Sequence, residues 1–311
     1  MSDTRVLFAG TPEFALASLQ ALTRAGIVPL AVLTQPDRPA GRGKRLTASP
    51  VKQFALERGI EVLQPATLKD PDTIKQVAAF EPDILVVAAY GLILPQSVLD
   101  IPTKGCLNVH ASLLPRWRGA APIQAAILAG DEKTGVSLMA MTAGLDCGPV
   151  YVEEALAIGP HETAGDLHDR LAVLGGELLV RHFDAILSGA LEAVEQDDSR
   201  ATYAGKINKQ DARLDWQQPA EVLQRQVRAY NPVPGAFFLF DDTPIKCWRA
   251  SVVAGRDKAA PGEVLSAGRD GIVVACGRQA LRLDSLQRPG KRPVTAGEFA
   301  GAVAIAGRHL G

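Results

Sequence analysis

The chain has 311 residues, 47% of them hydrophobic and 22% charged, so it can bury a sizeable core, and its length predicts two domains of an ordinary globular protein. Its longest apolar run, residues 84–94, is too short to cross a bilayer, and a net charge of −1 excludes a general attraction to nucleic acid or membranes. The four cysteines stand far apart, and the histidines do not cluster, which argues against a zinc site or disulfides and predicts buried free thiols. No targeting signal is found near the first residue, so we expect a cytoplasmic protein.

Short apolar runs alternate with longer amphipathic segments from about residue 5 to residue 189, a pattern typical of β-α-β units around a mostly parallel sheet. The predicted strands lie in residues 5–10, 29–34, 83–90, 105–110 and 134–141, and the predicted helices in residues 12–26, 49–59 and 163–189. Pro12 starts the first of these helices and Gly26 follows its end. The pattern therefore predicts an α/β domain over residues 1–189.

Basic side chains crowd residues 36–46, between the second strand and the second helix; they are Arg38, Arg42, Lys44 and Arg45. Pro39, Gly41 and Gly43 interrupt this stretch, so it can hardly form a regular helix or strand. We expect a mobile surface loop whose basic side chains are free to reach a partner. The alternative is a solvated connection with no such role.

Two polar residues, Asn108 and His110, end the apolar run at residues 105–110. At i and i+2 on a strand they share one face, and ligands of open parallel sheets bind outside the carboxyl ends of the strands. An amide N–H can stabilise negative charge on an oxygen, and a histidine can move a proton near neutral pH, which together suit acyl transfer to an amine. Asp146, between Gly144 and Gly148, is a candidate to orient the histidine.

Other interpretations of these residues stay open. Asn108 and His110 could be a strand-end turn and a structural histidine, and Asp146 could be a turn former. Ser112 and Cys106 lie outside any nucleophile motif, which disfavours a covalent hydrolase. The first βα turn has one glycine in place of G-x-G-x-x-G, which makes a dinucleotide-dependent dehydrogenase a weak alternative.

The character of the chain changes after the third helix. Residues 190–209 are polar and acidic, as in a linker. Five short alternating runs then predict strands of a small barrel in residues 235–240, 244–253, 262–267, 271–277 and 280–286, with one helix before them that ends ahead of Pro232. From Lys206 to Gly311 there are 16 Lys and Arg against 10 Asp and Glu, so this part carries +6 and the preceding part −7. A second domain over residues 210–311 that binds a polyanion is therefore predicted.

Seven motifs together resemble the methionyl-tRNA formyltransferases over nearly the whole chain. They are FAGTPEFA, TQPDRPAGRGKRLTASPVK, AYGLILP, LNVHASLLPRWRGAAPIQ, GLDCGPVY, YAGKINKQDARLDW and RAYNPVPGAFF. The N-x-H-x-S-L-L-P core with a later Asp is shared with enzymes that formylate glycinamide ribonucleotide or amino sugars, so it identifies only the reaction type. The basic stretch and the carboxyl-terminal part narrow the resemblance to the tRNA enzymes. Cys147 departs from the family pattern, which has Thr after the Asp.

The resemblance implies a Rossmann-like formyltransferase domain followed by an OB-like β-barrel. It implies 10-formyltetrahydrofolate as the formyl donor, the α-amino group of methionine on initiator methionyl-tRNA as the acceptor, and no metal. The implied catalytic residues are Asn108, His110 and Asp146. The implied folate contacts are Ser112, Leu113, Leu114, Pro115, Tyr90, Gly91, Leu92, Ile93 and Leu94. The expected tRNA contacts are Arg38, Arg42, Lys44, Arg45 and Lys206.

Two other functions remain alternatives. A formyltransferase for a small amine would not need a basic barrel or an arginine-rich stretch. A tRNA-binding module without catalysis would not need Asn108, His110 and Asp146 together. We expect a monomer with no membrane partner.

Overall fold

A computed structural model describes residues 4–40 and 45–311. The chain forms two compact units. The first runs to Pro122 and resumes over Lys133–Ala157 and His168–Ala204, and the second comprises Ile123–Glu132, Ile158–Leu167 and Gly205–Gly311. Each unit is thus built from separate stretches of chain. The domain boundaries expected from composition, with a linker over residues 190–209, stay a prediction.

The elements up to Ala204 follow in chain order. They are β1 (Val6–Gly10), α1 (Glu13–Arg24), β2 (Ala31–Leu33), β3 (Arg38–Ala40), β4 (Arg45–Thr47), α2 (Pro50–Glu57), β5 (Glu61–Leu63), α3 (Pro71–Ala78), β6 (Ile84–Ala88), α4 (Gln96–Leu99), β7 (Cys106–His110), β8 (Arg118–Gly119), α5 (Pro122–Ala129), β9 (Lys133–Ala140), β10 (Val150–Ala157), α6 (Ala164–Ser188), a 3₁₀ turn (Asp198–Arg200) and β11 (Tyr203–Ala204).

A seven-stranded sheet in the order β10-β9-β7-β6-β1-β2-β5 is the centre of the first unit. The five strands from β7 to β5 run parallel, while β9 is antiparallel to both β7 and β10. Every residue of β1, β6 and β7 is buried, which explains the unbroken apolar sequences of β1 and β6; β7 departs from this pattern only at Asn108 and His110. The predicted mostly parallel α/β sheet is confirmed.

The ends of the basic stretch form a short antiparallel hairpin, so the expectation that they could not be strands is wrong. In this hairpin, β3 pairs with β4 through Arg38 with Thr47, Pro39 with Leu46 and Ala40 with Arg45. A two-stranded ribbon consists only of edge strands, where proline is tolerated. Two of the predicted tRNA contacts, Arg42 and Lys44, lie outside the described residues.

The polar segment after α6 hydrogen-bonds to other parts of the first unit. Val194 and Val150 exchange two backbone hydrogen bonds of 2.8 Å. Farther along, β11 pairs in parallel with β8. Residues 190–204 are therefore held at two points within the unit.

The described cysteines are all free thiols. Burial raises the pKa of Cys106 and Cys247 to about 12 and that of Cys276 to about 11. Cys147, beside Asp146, is only half-buried. The prediction of free thiols is correct, whereas the prediction that they are buried holds only for Cys106, Cys247 and Cys276.

The second unit contains most of the remaining elements. They are a 3₁₀ turn (Lys209–Ala212), α7 (Ala220–Ala229), β12 (Phe237–Phe240), β13 (Thr243–Val253), β14 (Val264–Gly268), β15 (Gly271–Ala275), β16 (Ala280–Gln287), β17 (Val294–Thr295) and α8 (Ala296–Ala302). The sheet is antiparallel in the order β12-β13-β16-β15-β14, with β17 paired to β16. Bulges interrupt the register of β13, which allows the long strand to bend.

The core of this unit is apolar, and its largest side chains include Trp216 and Phe238, whose rings meet edge to face. The curled sheet confirms the predicted barrel-like β-domain. Within residues 4–40 and 45–311, no helix has the length and apolar character needed to span a membrane.

Candidate active site

The carboxyl end of β7 carries the two polar residues singled out in the sequence. Asn108 and His110 are 8% and 6% exposed. Asn108 lies opposite Val87 of β6 and Met139 of β9, and His110 lies opposite Ser137 of β9. The side chains share one face of a strand inside the sheet, where neighbouring backbone holds them firmly.

His110 has both ring nitrogens turned toward acceptors. Its Nε2 lies 2.8 Å from the carbonyl oxygen of Trp117, and a carbonyl can only accept, so Nε2 carries a proton. Its Nδ1 lies 3.8 Å from Oδ2 of Asp146. This arrangement suits an imidazolium, because both of its N–H groups then face oxygen atoms.

Asp146 reaches His110 from a sharp turn. Its backbone has φ +48°, a left-handed conformation that aspartate tolerates. A Cβ atom on Gly148 would lie 1.9 Å from the carbonyl oxygen of Ala140, so only glycine fits there. The backbone N–H of Gly119 donates to Asp146 Oδ2 at 2.8 Å, which aims the carboxylate at the imidazole.

Asn108 differs from its neighbours in having no partner for its amide. Among the described residues, no side-chain hydrogen bond is made by Asn108, although the residue is nearly buried. The amide atoms of Asn108 are not among the fully buried side-chain atoms that lack a partner, so the amide still faces the open part of the site. The site therefore holds an amide that is available to an incoming oxygen atom.

Hydrogen bonds to buried groups hold the segment that follows β7. The Ser112 hydroxyl donates to the Trp117 carbonyl at 3.2 Å, and the Leu114 N–H donates to the Ser137 hydroxyl at 3.1 Å. Ser112 and Leu114 are buried, while Leu113 and Pro115 are partly exposed. Of these four predicted folate contacts, only Leu113 and Pro115 present appreciable side-chain surface.

The loop after β6 passes the same edge of the sheet. Tyr90 and Leu94 are buried in the core, whereas Ile93 is 82% exposed. Burial raises the pKa of the Tyr90 phenol, whose hydroxyl has no hydrogen-bond partner in the described part of the chain. Gly91 has φ +85°, which lets the loop turn between its anchors. The exposed part of the predicted pterin loop is thus Gly91 to Ile93.

The hairpin residue Arg38 connects to this loop through Gln35. Its guanidinium donates to Gln35 Oε1 at 2.6 Å, and Gln35 Nε2 donates to the Tyr90 carbonyl at 3.3 Å. Arg45 is exposed on the paired strand, and Lys206 is exposed in the second unit. Among the described residues, no cluster of three or more His, Cys, Asp or Glu could hold a metal ion.

Three residues around Asp146 were missed from the sequence: Arg118, Gly119 and Gln196. Gln196 Nε2 donates to the carbonyls of Asp146 at 2.9 Å and Gly148 at 2.7 Å, and Gln196 Oε1 accepts from Arg118 at 3.0 Å. Gln196 and Asp146 are separated by 50 positions in the chain. No local pattern marks such a pairing.

Family models match both parts of the chain. A model described as formyl transferase covers residues 4–183, and one described as formyl transferase, C-terminal domain, covers residues 206–303. The fold and the site thus define a formyl transferase.

Solved structures agree at the level of the fold. The sugar 3N-formyl transferase WlaRD has a TM-score of 0.65 at 16% identity, covering 94% of this chain and 100% of that one. HypX from Aquifex aeolicus in complex with tetrahydrofolic acid has a TM-score of 0.62 at 18% identity, covering 96% of this chain and 47% of that one.

Curated relatives are much more similar in sequence. Methionyl-tRNA formyltransferase of Aromatoleum aromaticum is 57% identical, with 95% of this chain and 93% of the relative covered. That of Methylococcus capsulatus is 51% identical, with 99% of both chains covered. The chain belongs to the methionyl-tRNA formyltransferase family.

Proposed function

We propose that Asn108, His110 and Asp146 form the active centre of this formyltransferase. The enzyme transfers the formyl group of 10-formyltetrahydrofolate to the α-amino group of methionine on initiator methionyl-tRNA. The observation that carries the assignment is the Asn108 amide, which has no hydrogen-bond partner within residues 4–40 and 45–311, beside a histidine that lies 3.8 Å from a carboxylate. In acyl transfer, negative charge develops on an oxygen atom, and hydrogen-bond donors that are already in place before the substrate binds stabilise that charge.

In this mechanism the neutral amine attacks the formyl carbon, and the bond from that carbon to N10 of the folate breaks. The amine loses a proton, and N10 gains one. The Asn108 amide donates to the formyl oxygen as negative charge develops there. His110 adds positive charge near this oxygen. Its Nε2–H, which faces the Trp117 carbonyl in the free enzyme, can turn to donate to the formyl oxygen instead. Asp146 stabilises the imidazolium.

The remaining assignments complete the proposal. Residues 112–115 and the loop from Tyr90 to Leu94 hold the folate. Arg38, Arg42, Lys44 and Arg45, together with Lys206 and the basic second domain, bind the tRNA. The enzyme works as a monomer in the cytoplasm, with residues 1–189 as the catalytic domain and residues 210–311 as the tRNA-binding domain.

One assay tests the function. The purified full chain is given a labelled formyl donor and, in parallel, charged initiator tRNA, glycinamide ribonucleotide or amino sugars. We expect label on the methionyl-tRNA, with the other acceptors at background. Preferential labelling of a small amine would replace the proposed acceptor, and tRNA binding without label on any acceptor would reduce the protein to a binding module.

A further inference from the structure

We propose that Gln196 is a positioning residue that holds the Asp146 turn in its active geometry. This inference rests on the proposed role of Asp146 in formyl transfer. It gives a function to the polar segment after α6, which composition alone marked as a connection.

The first observation is how Gln196 contacts the turn. Its amide nitrogen has two N–H groups, and they donate to the two carbonyls that flank Cys147, those of Asp146 and Gly148. One side chain thus bridges both ends of the turn. Asp146 needs this support, because its φ of +48° is a conformation that few non-glycine residues adopt.

The second observation is that the amide can face only one way. Arg118 is 3% exposed, and its Nε donates to Gln196 Oε1 at 3.0 Å. A guanidinium has no acceptor, so the amide oxygen must face Arg118 and the amide nitrogen must face the carbonyls. Arg118 is itself held by Asp198 at 2.6 Å.

The third observation is that both residues of β8 are connected to Asp146, Gly119 directly and Arg118 through Gln196. Gly119 donates its N–H to the carboxylate, and the neighbouring Arg118 fixes the amide that binds the backbone. Pairing with β11 holds β8 in place. Backbone and carboxylate of Asp146 are therefore tied to one strand, which sets the distance from the carboxylate to His110.

Gln196→Glu is the most direct test. It keeps the shape and the acceptor for Arg118 but sets a carboxylate oxygen against two carbonyl oxygens. We expect kcat to fall by about tenfold to a hundredfold, since small displacements of a reacting group have effects of that size. The KM values for tRNA and folate should stay within about twofold. Gln196→Met, which removes all three hydrogen bonds without adding charge, should lower kcat in the same direction.

A second measurement separates positioning from a general structural role. If Gln196 acts through Asp146, then Gln196→Glu introduced into Asp146→Asn should lower the rate by less than about twofold, because coupled residues are not additive. Rates are measured in single turnover with excess enzyme, so that the weak variant remains quantifiable. The same loss in both backgrounds would overturn the inference, as would an unchanged kcat in Gln196→Glu.

Val194→Ala is the matched control, because Val194 lies in the same segment, is 70% exposed and is held through its backbone. We expect it to keep the wild-type rate. Thermal melts of all variants show whether each is folded. An inactive wild-type protein would contradict the proposed function, whereas an active wild type with an unaffected Gln196→Glu variant would contradict only the positioning role.

Discussion

At the scale of single residues, the site contains a histidine–aspartate pair and, separate from it, an amide donor. His110 and Asp146 form a pair at 3.8 Å whose other contacts are to protein atoms. Asn108 lies on the same strand as His110, and its side chain makes no hydrogen bond to any residue that the structure describes. We infer that Asn108 is a direct ligand of the formyl oxygen and that the pair adds positive charge beside it, with the Nε2 proton of His110 as a second donor.

Replacing Asn108 by alanine should therefore impair chemistry more than binding. Removal of one such donor lowers kcat by roughly a hundredfold to a thousandfold. Steady-state kinetics should show this loss with nearly unchanged KM, and a binding assay should show wild-type affinity for tRNA. A rate near wild type would remove Asn108 from the mechanism.

Asp146→Asn isolates the charge of the carboxylate. Asparagine tolerates the left-handed backbone and can still accept from the Gly119 N–H, but it cannot stabilise an imidazolium. We expect kcat to fall by at least about a hundredfold, with an altered dependence of rate on pH. His161, which is exposed, provides a control through His161→Ala, which should behave as wild type. An unchanged pH–rate profile in Asp146→Asn would leave Asp146 as a turn residue only.

At the scale of elements, apolar runs and prolines at helix starts were enough to predict many of the strands and helices from the sequence. The apolar runs of β1, β6 and β7 and the proline-started helices α1 and α2 are found where the sequence predicts them. The sequence did not reveal β5 or β10, because β5 has three residues and begins with an exposed Glu61, and β10 lies on an edge with a partly exposed pattern. The partner of β5 is β2, about 30 positions away in the chain, and Gln196 contacts a turn 50 positions away.

The start of α6 gives a prediction about stability. Thr163 and Asp166 cap this end reciprocally, since the Thr163 N–H donates to Asp166 Oδ2 and the Asp166 N–H donates to the Thr163 hydroxyl. The Thr163 hydroxyl also donates to Asp166 Oδ2 at 2.7 Å, and this hydrogen bond and the one from the Thr163 N–H lower the pKa of Asp166. A lowered pKa in the folded state stabilises the protein above the unfolded value of about 3.9, and the effect is lost as the pH falls through the folded value.

Asp166→Asn should accordingly lower the Tm at neutral pH, and the difference from wild type should shrink as the pH falls below about 4. Thermal melts over this pH range measure it. Asp184→Asn, an exposed substitution near the other end of α6, should not lower the Tm. An Asp166→Asn difference that is the same at every pH would show that the cap does not depend on the charge.

At the scale of the whole molecule, charge is divided along the chain, with +6 from Lys206 onward and −7 before it. The proposed binding of tRNA through this basic part would release counterions, so we expect affinity to fall steeply with salt. Lys206→Glu should weaken binding at low salt and reduce the slope of log Kd against log salt by about one or more. Lys69→Glu, an exposed change in the first unit, is the control. Equal slopes for wild type and Lys206→Glu would exclude Lys206 from the phosphate contacts.

The second unit is assembled from three separate stretches, and this has a consequence during synthesis on the ribosome. Residues 123–132 are made early, yet Arg225, which donates to the carbonyl of Leu128, and the core that packs against Leu128 come from the last third of the chain. At about 5–20 residues per second, the interval from residue 123 to residue 311 lasts roughly 10–40 seconds. Until the last third of the chain is made, Leu128 has no core to pack against, so we expect this short segment to be where chaperones engage the unfinished protein.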